Sequence, residues 1–171
     1  MLTIEKKVEI QRQISEVYDC VTDVISAPRW ASMIVEVVVN TEGPIRLGSK
    51  GYNVMKLLWK ESKVGWVISE LEQNRSFTVR STFGPINGIY YYRFKSEGEN
   101  TILSLRVEVE PRGFYKVLEH IFEPSIQNQI GNDLEKLKSL LENQQTINRV
   151  SSLNFLREIC FFFTSLFTIL V

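Results

Sequence analysis

The chain has 171 residues, 44% hydrophobic and 23% charged, which is one ordinary domain with or without a short extension and excludes a disordered, collagen-like or low-complexity polymer. Lysine plus arginine number 20 and aspartate plus glutamate number 20, so no net charge draws the chain to nucleic acid or to an anionic surface. Its two cysteines, Cys20 and Cys160, cannot form a disulfide-rich scaffold.

The start, MLTIEKKVEI, lacks the apolar run and cleavage site of a signal peptide, so the body of the protein reads as cytoplasmic. Leu2 to Gln11 alternates, with Leu2, Ile4, Val8 and Ile10 on one side and Lys6 as the break in that row, which predicts a strand with one wet face. Ser15 is the expected N-cap of a short helix whose apolar side is Val17, Tyr18, Cys20 and Val21. Ala27-Pro28-Arg29 stops that helix or joins it to a second short one. Strands follow at Ile34–Thr41, Tyr52–Lys60, Lys63–Leu71, Ser76–Phe83, Ile89–Lys95 and Thr101–Val109, separated by turn residues such as Glu42-Gly43-Pro44 and Gly84-Pro85. From Phe114 the period becomes helical. Val117, Leu118, Ile121 and Phe122 form one stripe, and Ile126, Ile130, Leu134, Leu137 and Leu141 continue it, with Pro124 starting a second helix or kinking one.

This order predicts an α+β fold: a curved antiparallel sheet of about six to seven strands, two short helices after the first strand, and one long C-terminal helix. That helix is the only element long and amphipathic enough to cover the apolar face of the sheet. A curved sheet around one helix leaves a space between them, where function would reside.

Several stretches carry a family resemblance. They are Gln13-Ile14-Ser15-Glu16-Val17-Tyr18-Asp19 with Val21-Thr22-Asp23, Ala27-Pro28-Arg29-Trp30, Glu42-Gly43-Pro44 with Gly48, Ser69-Glu70, Gly113-Phe114 through Leu118, Pro124, Asp133-Leu134 and Leu137-Lys138. Together they resemble the Bet v 1/START-like (SRPBCC) superfamily, in particular its polyketide cyclase/dehydrase and lipid-transport group, over residues 1–142. The resemblance implies a helix-grip fold and a hydrophobic small molecule held between sheet and helix. It also implies Trp30 at the mouth. The same fold hosts carriers, receptors, cyclases, dehydratases and hydrolases, so it does not choose among them.

The residues themselves offer little catalytic chemistry. His120 is the only histidine, and neither cysteine has a Cys-x-x-Cys partner, so no metal is expected. No Gly-x-Ser-x-Gly, Gly-x-Gly-x-x-Gly or phosphate-loop pattern occurs, so no cofactor is expected either. Carrying the parity of the last strand to the others places Tyr52 and Val54, Trp66 and Ile68, Phe77, Val79, Ser81 and Phe83, and Tyr90, Tyr92 and Phe94 on the inner face. Phe122, Ile126 and Ile130 would face them from the helix. The candidate ligand-binding set is therefore Trp30, Tyr52, Trp66, Phe77, Phe83, Tyr90, Tyr92, Phe94, Phe122, Ile126 and Ile130, the plain alternative being that they fill a core. A bulge in any strand would flip the parity beyond it. Lys56 and Glu70 are the ionisable residues that continue the inner rows, with exposure at a strand end as the alternative.

Residues 143–171 form an extension beyond the 1–142 ligand-binding domain. Its last stretch, Ile159 to Val171, has no charge and is shorter than the roughly 20 residues of a bilayer span. It packs on the protein or a partner, docks residues 153–171 to a membrane, or has no selected role. Three functions remain open: binding of a hydrophobic small molecule or lipid, a cyclase or dehydratase reaction in the same cavity, and membrane docking through the tail.

Overall fold

In the computed structural model, residues 2–57, 60–111 and 124–143 are described. Strand β1 (Leu2–Ile10) buries Leu2, Ile4, Val8 and Ile10 and leaves Lys6 half-buried in the same row. Helix α1 (Ile14–Thr22) follows. It starts two residues earlier than a Ser15 cap would allow: Gln13, extended at ψ 148°, is the N-cap, and its carbonyl accepts from the amides of Glu16 and Val17. No side chain caps this end, so the burial of Val17, Tyr18 and Val21 holds the helix rather than a capping bond. A 3₁₀ helix (Val24–Arg29) that contains Pro28 leads into the remaining strands.

These are β2 (Ile34–Val39), β3 (Lys50–Leu57), β4 (Lys60–Glu72), β5 (Ser76–Phe83), β6 (Ile86–Glu97) and β7 (Asn100–Pro111). They form one seven-stranded sheet in the order β1-β7-β6-β5-β4-β3-β2, with every pair antiparallel. The expected architecture is therefore present, with seven strands. Helix α2 (residues 124–143) lies on the inner face. Leu134, Leu137 and Leu141 join Leu2, Ile4, Leu103, Leu105 and Val107 in one buried cluster, and Ile126 and Ile130 pack against it only in part. Phe114–Phe122, His120, Cys160 and the tail from 144 onward lie outside the described residues. Among the described residues, no helix is long and apolar enough to cross a membrane.

Three register shifts bend the sheet and reset which residues face inward. Val35 is the extra residue between Ile34 and Glu36 against β3. Ser69 is extra on β4, because Ile68 opposes Val79 whereas Glu70 opposes Thr78. Thr82 is extra on β5, because Ser81 opposes Trp66 whereas Phe83 opposes Gly65. On β3 the inner row is Gly51, Asn53, Met55 and Leu57, which corrects the expectation that Tyr52 and Val54 face inward: Gly51 opposes Trp66, and there is no room for a Cβ between its backbone and the Trp66 ring. Lys56 is accordingly exposed on the outer row, where it opposes Glu61.

The C-terminal end of α2 is fastened by one buried cation. Arg12 has 5% of its surface exposed. Its Nη2 donates to the carbonyls of Leu141 and Glu142 (2.8 Å to Glu142) and its Nη1 to the Gln11 carbonyl at 2.9 Å, while Nε lies 3.4 Å from Glu16 Oε2. Glu142 Oε1 accepts from the Gln11 amide at 2.9 Å, and Thr101 Oγ1 donates to the Arg12 carbonyl at 2.8 Å. The last carbonyls of a helix have no intrahelical donors and carry partial negative charge, so a guanidinium is suited to this position. Arg12→Met removes these donors while keeping an unbranched apolar stem. It should lower stability by roughly 2–4 kcal/mol in chemical denaturation, and an unchanged midpoint would refute the clamp.

Candidate functional site

Where α2 stops packing tightly, a cavity of about 530 Å³ opens between its N-terminal half and the sheet. Ile126, Ile130 and Leu134 face it from the helix, Phe77 and Val79 from β5, Tyr90 and Tyr92 from β6, and Leu105, Val107 and Val109 from β7. Trp66 and Val64 extend the wall along β4. Trp30, Ala31, Ser32 and Met33, after the 3₁₀ helix, close one side. The pairings Phe77↔Tyr92, Val79↔Tyr90, Tyr90↔Val107 and Tyr92↔Leu105 place these side chains in adjacent rows on one face.

Seven of the residues nominated from sequence line this space: Trp30, Trp66, Phe77, Tyr90, Tyr92, Ile126 and Ile130. Three stand elsewhere. Tyr52 is on the outer row of β3, with Lys63 Nζ 4.6 Å from its ring centroid. Phe83 is turned outward by the Thr82 bulge; it is half-exposed and lies across Gly65, which has no room for a side chain beneath that ring. Phe94 is inward, but in the filled end of the core, edge-on to Tyr18 at 5.2 Å. Phe122 lies outside the described residues. Glu70 is turned outward by the Ser69 bulge, where Oε2 accepts from Thr78 Oγ1 at 2.6 Å and Arg93 Nη2 at 2.9 Å. The Thr78 hydroxyl foremost, with Arg93 also contributing, holds its carboxyl below the usual range.

Sequence reasoning missed the polar groups of the wall. Asn53 Oδ1 accepts from Trp66 Nε1 at 2.8 Å, fixing that indole. An asparagine between Tyr52 and Val54 inside a strand was a usable signal, since such positions are depleted of Asn unless it has a partner. At the helix side, Asp133 Oδ1 accepts from the Ser32 amide at 3.2 Å, from Gln129 Nε2 at 3.1 Å and from the Ser32 hydroxyl. Gln129 Nε2 also donates to Ser32 Oγ. Gln129 and Asp133 are one helical turn apart, so they share a face beside the apolar stripe.

Two phenols of the wall are held protonated by burial. Tyr90, whose ring lies over Gly88, and its neighbour Tyr92 make no hydrogen bond to any described residue. Burial pushes the Tyr90 phenol from its ordinary 10.0 up to about 12. Burial first, then the nearby Tyr90 and Asp133, pushes Tyr92 up as well. Both are neutral hydrogen-bond donors over the physiological range. Trp30 is 4% exposed, and its Nε1 is buried without an acceptor.

The comparisons with known proteins agree with the fold. The family model for polyketide cyclase/dehydrase and lipid transport matches residues 1–142, and the chain belongs to that family. No curated protein matches the sequence significantly. Among solved structures, TTHA0849 from Thermus thermophilus superposes with a TM-score of 0.71 at 16% identity, over 84% of this chain and 99% of that one. The Zhui aromatase/cyclase from Streptomyces sp. R1128 gives 0.70 at 14% identity, over 84% and 94%. A START superfamily protein from Mycobacterium smegmatis gives 0.64 at 16%, over 83% and 95%. At these identities the likeness is one of fold, and it is the START/Bet v 1-like helix-grip fold.

Because their folded pKa values are raised, Tyr90 and Tyr92 contribute stability that is complete below the unfolded value of about 10. It is lost as pH rises from about 10 towards 12, where the unfolded chain releases its protons first. The denaturant midpoint of the protein should fall over that window, and Tyr92→Phe should flatten the fall. An identical pH profile in the variant would show that the Tyr92 phenol is not held neutral by the fold.

Proposed function

We propose that the protein binds a hydrophobic small molecule or lipid in the cavity between the sheet and the N-terminal half of α2. The observation that carries this reading is the change along α2: Leu134, Leu137 and Leu141 are buried against the sheet, whereas Ile126 and Ile130 face open space walled by Phe77, Val79, Tyr90 and Tyr92. Apolar side chains arranged around about 530 Å³ are a binding surface for an apolar body, and each 100 Å² of ligand surface removed from water contributes about 2.5 kcal/mol before the cost of association. Membership of a family described by cyclase, dehydrase and lipid-transport activities supports a ligand of this kind. The rigid aromatics limit the conformations such a ligand adopts, and the few polar groups orient it.

Protein purified without detergent should take up the neutral apolar dye N-phenyl-1-naphthylamine with a rise in fluorescence. Val79→Trp, which places a large ring in the middle of the cavity, should weaken uptake by about tenfold or more while the far-ultraviolet dichroism stays unchanged. Undiminished uptake in a folded Val79→Trp protein would place the dye elsewhere and overturn the reading.

A further inference from the structure

The cavity wall contains more donors than the protein itself uses, and this bears on which apolar molecules fit. Among the described residues, two indoles line it. Trp66 Nε1 donates to Asn53 Oδ1, but Trp30 Nε1, on a residue that is 4% exposed, has no acceptor. Indole nitrogen only donates, so an acceptor is the one group that completes it. The hydroxyls of Tyr90 and Tyr92 make no bond to a described residue either. A buried donor left without a partner costs free energy that an incoming acceptor recovers.

The charges of the wall act in the opposite sense on an anion. Asp133 lines the cavity, and its partners are the neutral donors of Ser32 and Gln129; among the described residues it forms no ion pair. It lies close enough to Tyr92 to oppose ionisation of that phenol. Among the described residues Lys56 is the cation at the rim, but it sits on the outer row of β3, exposed and opposite Glu61. A carboxylate or phosphate inside the cavity would therefore lose water and meet a like charge. A cationic head would be attracted to Asp133 but would leave Trp30, Tyr90 and Tyr92 without an acceptor.

Building on the cavity-binding reading, we infer that the ligand is an uncharged molecule whose apolar body carries a hydrogen-bond acceptor, such as a ketone or ester carbonyl. Trp30 and the two tyrosines supply the donors, and Asp133 excludes anionic analogues of the same shape.

Four probes built on a ten-carbon chain separate the possibilities when each is used to displace N-phenyl-1-naphthylamine from the full chain: methyl decanoate, decanoate, decyltrimethylammonium and decane. Methyl decanoate should compete about fivefold better than decane, reflecting the added hydrogen bonds, and about tenfold better than either charged probe. Trp30→Phe and the double change Tyr90→Phe with Tyr92→Phe should each bring the ester-to-decane ratio towards one. The tyrosine pair tests the idea in a protein that has lost no internal hydrogen bond. Decanoate or decyltrimethylammonium competing as well as the ester, or a ratio that survives both variants, would overturn the inference. If decane binds and the ester binds no better, this inference fails while the cavity reading stands. If none of the four displaces the dye, both fall.

Discussion

A helix with its side chains is about 10 Å across, whereas seven strands about 4.8 Å apart span about 29 Å. One helix cannot cover such a face if the sheet is flat. The sheet has to curl, and the bulges at Val35, Ser69 and Thr82 are sites where it departs from regular pleating. Even curled, it is wider than α2. Helix α1 takes up part of the difference, with Val17, Tyr18 and Val21 joining the same buried cluster as α2. Among the described residues, the cavity lies in what remains. The hollow is thus a consequence of covering a wide sheet with one long helix, and side chains of ordinary size leave it open.

A hollow next to a helix needs the helix held from its ends and edges, since Ile126 and Ile130 border the cavity. Arg12 does this at the C-terminal end by bonding the final carbonyls of α2 while its own backbone is tied to Thr101. Halfway along, Asp133 and Gln129 bond Ser32 in the segment after the 3₁₀ helix. The next residue, Met33, accepts from the Lys56 amide at 2.8 Å. That short segment therefore connects the helix to the β3 side of the sheet and forms one wall of the cavity. The polar groups outside the apolar wall hold the two layers apart at a fixed distance, which is a different task from filling space.

Much of this was legible in the chain before any coordinates. The alternation of β1 and β7, the turn residues between strands and the helical stripe from Ile126 to Leu141 each follow from simple periodicities, so the fold, the inner rows of β6 and β7 and that of β5 as far as Ser81 could be read directly. The errors have local physical causes. Tyr52-Asn53-Val54-Met55 has apolar residues in both rows, so parity could not choose a face, and the close fit of Gly51 under Trp66 decided it. Glu70 and Phe83 each lie just beyond an extra residue that pattern alone does not mark. Phe94 has the right face but the wrong end, because distance along a strand does not tell where a helix stops packing. Ser15 has a capping side chain, yet the extended Gln13 starts the helix without one.

The unequal halves of α2 also matter for how such a protein changes over generations. Leu134, Leu137 and Leu141 share a buried cluster with residues from β1 and β7, so a change there must be answered by others at once. Ile126 and Ile130 border the cavity and are only partly buried. On the proposed function, selection for a new ligand would act on the first half of the helix and on the strand positions opposite it, while the second half keeps the molecule folded. A division of this kind lets one scaffold diverge to 14–16% identity with its shape intact and its contents free to differ.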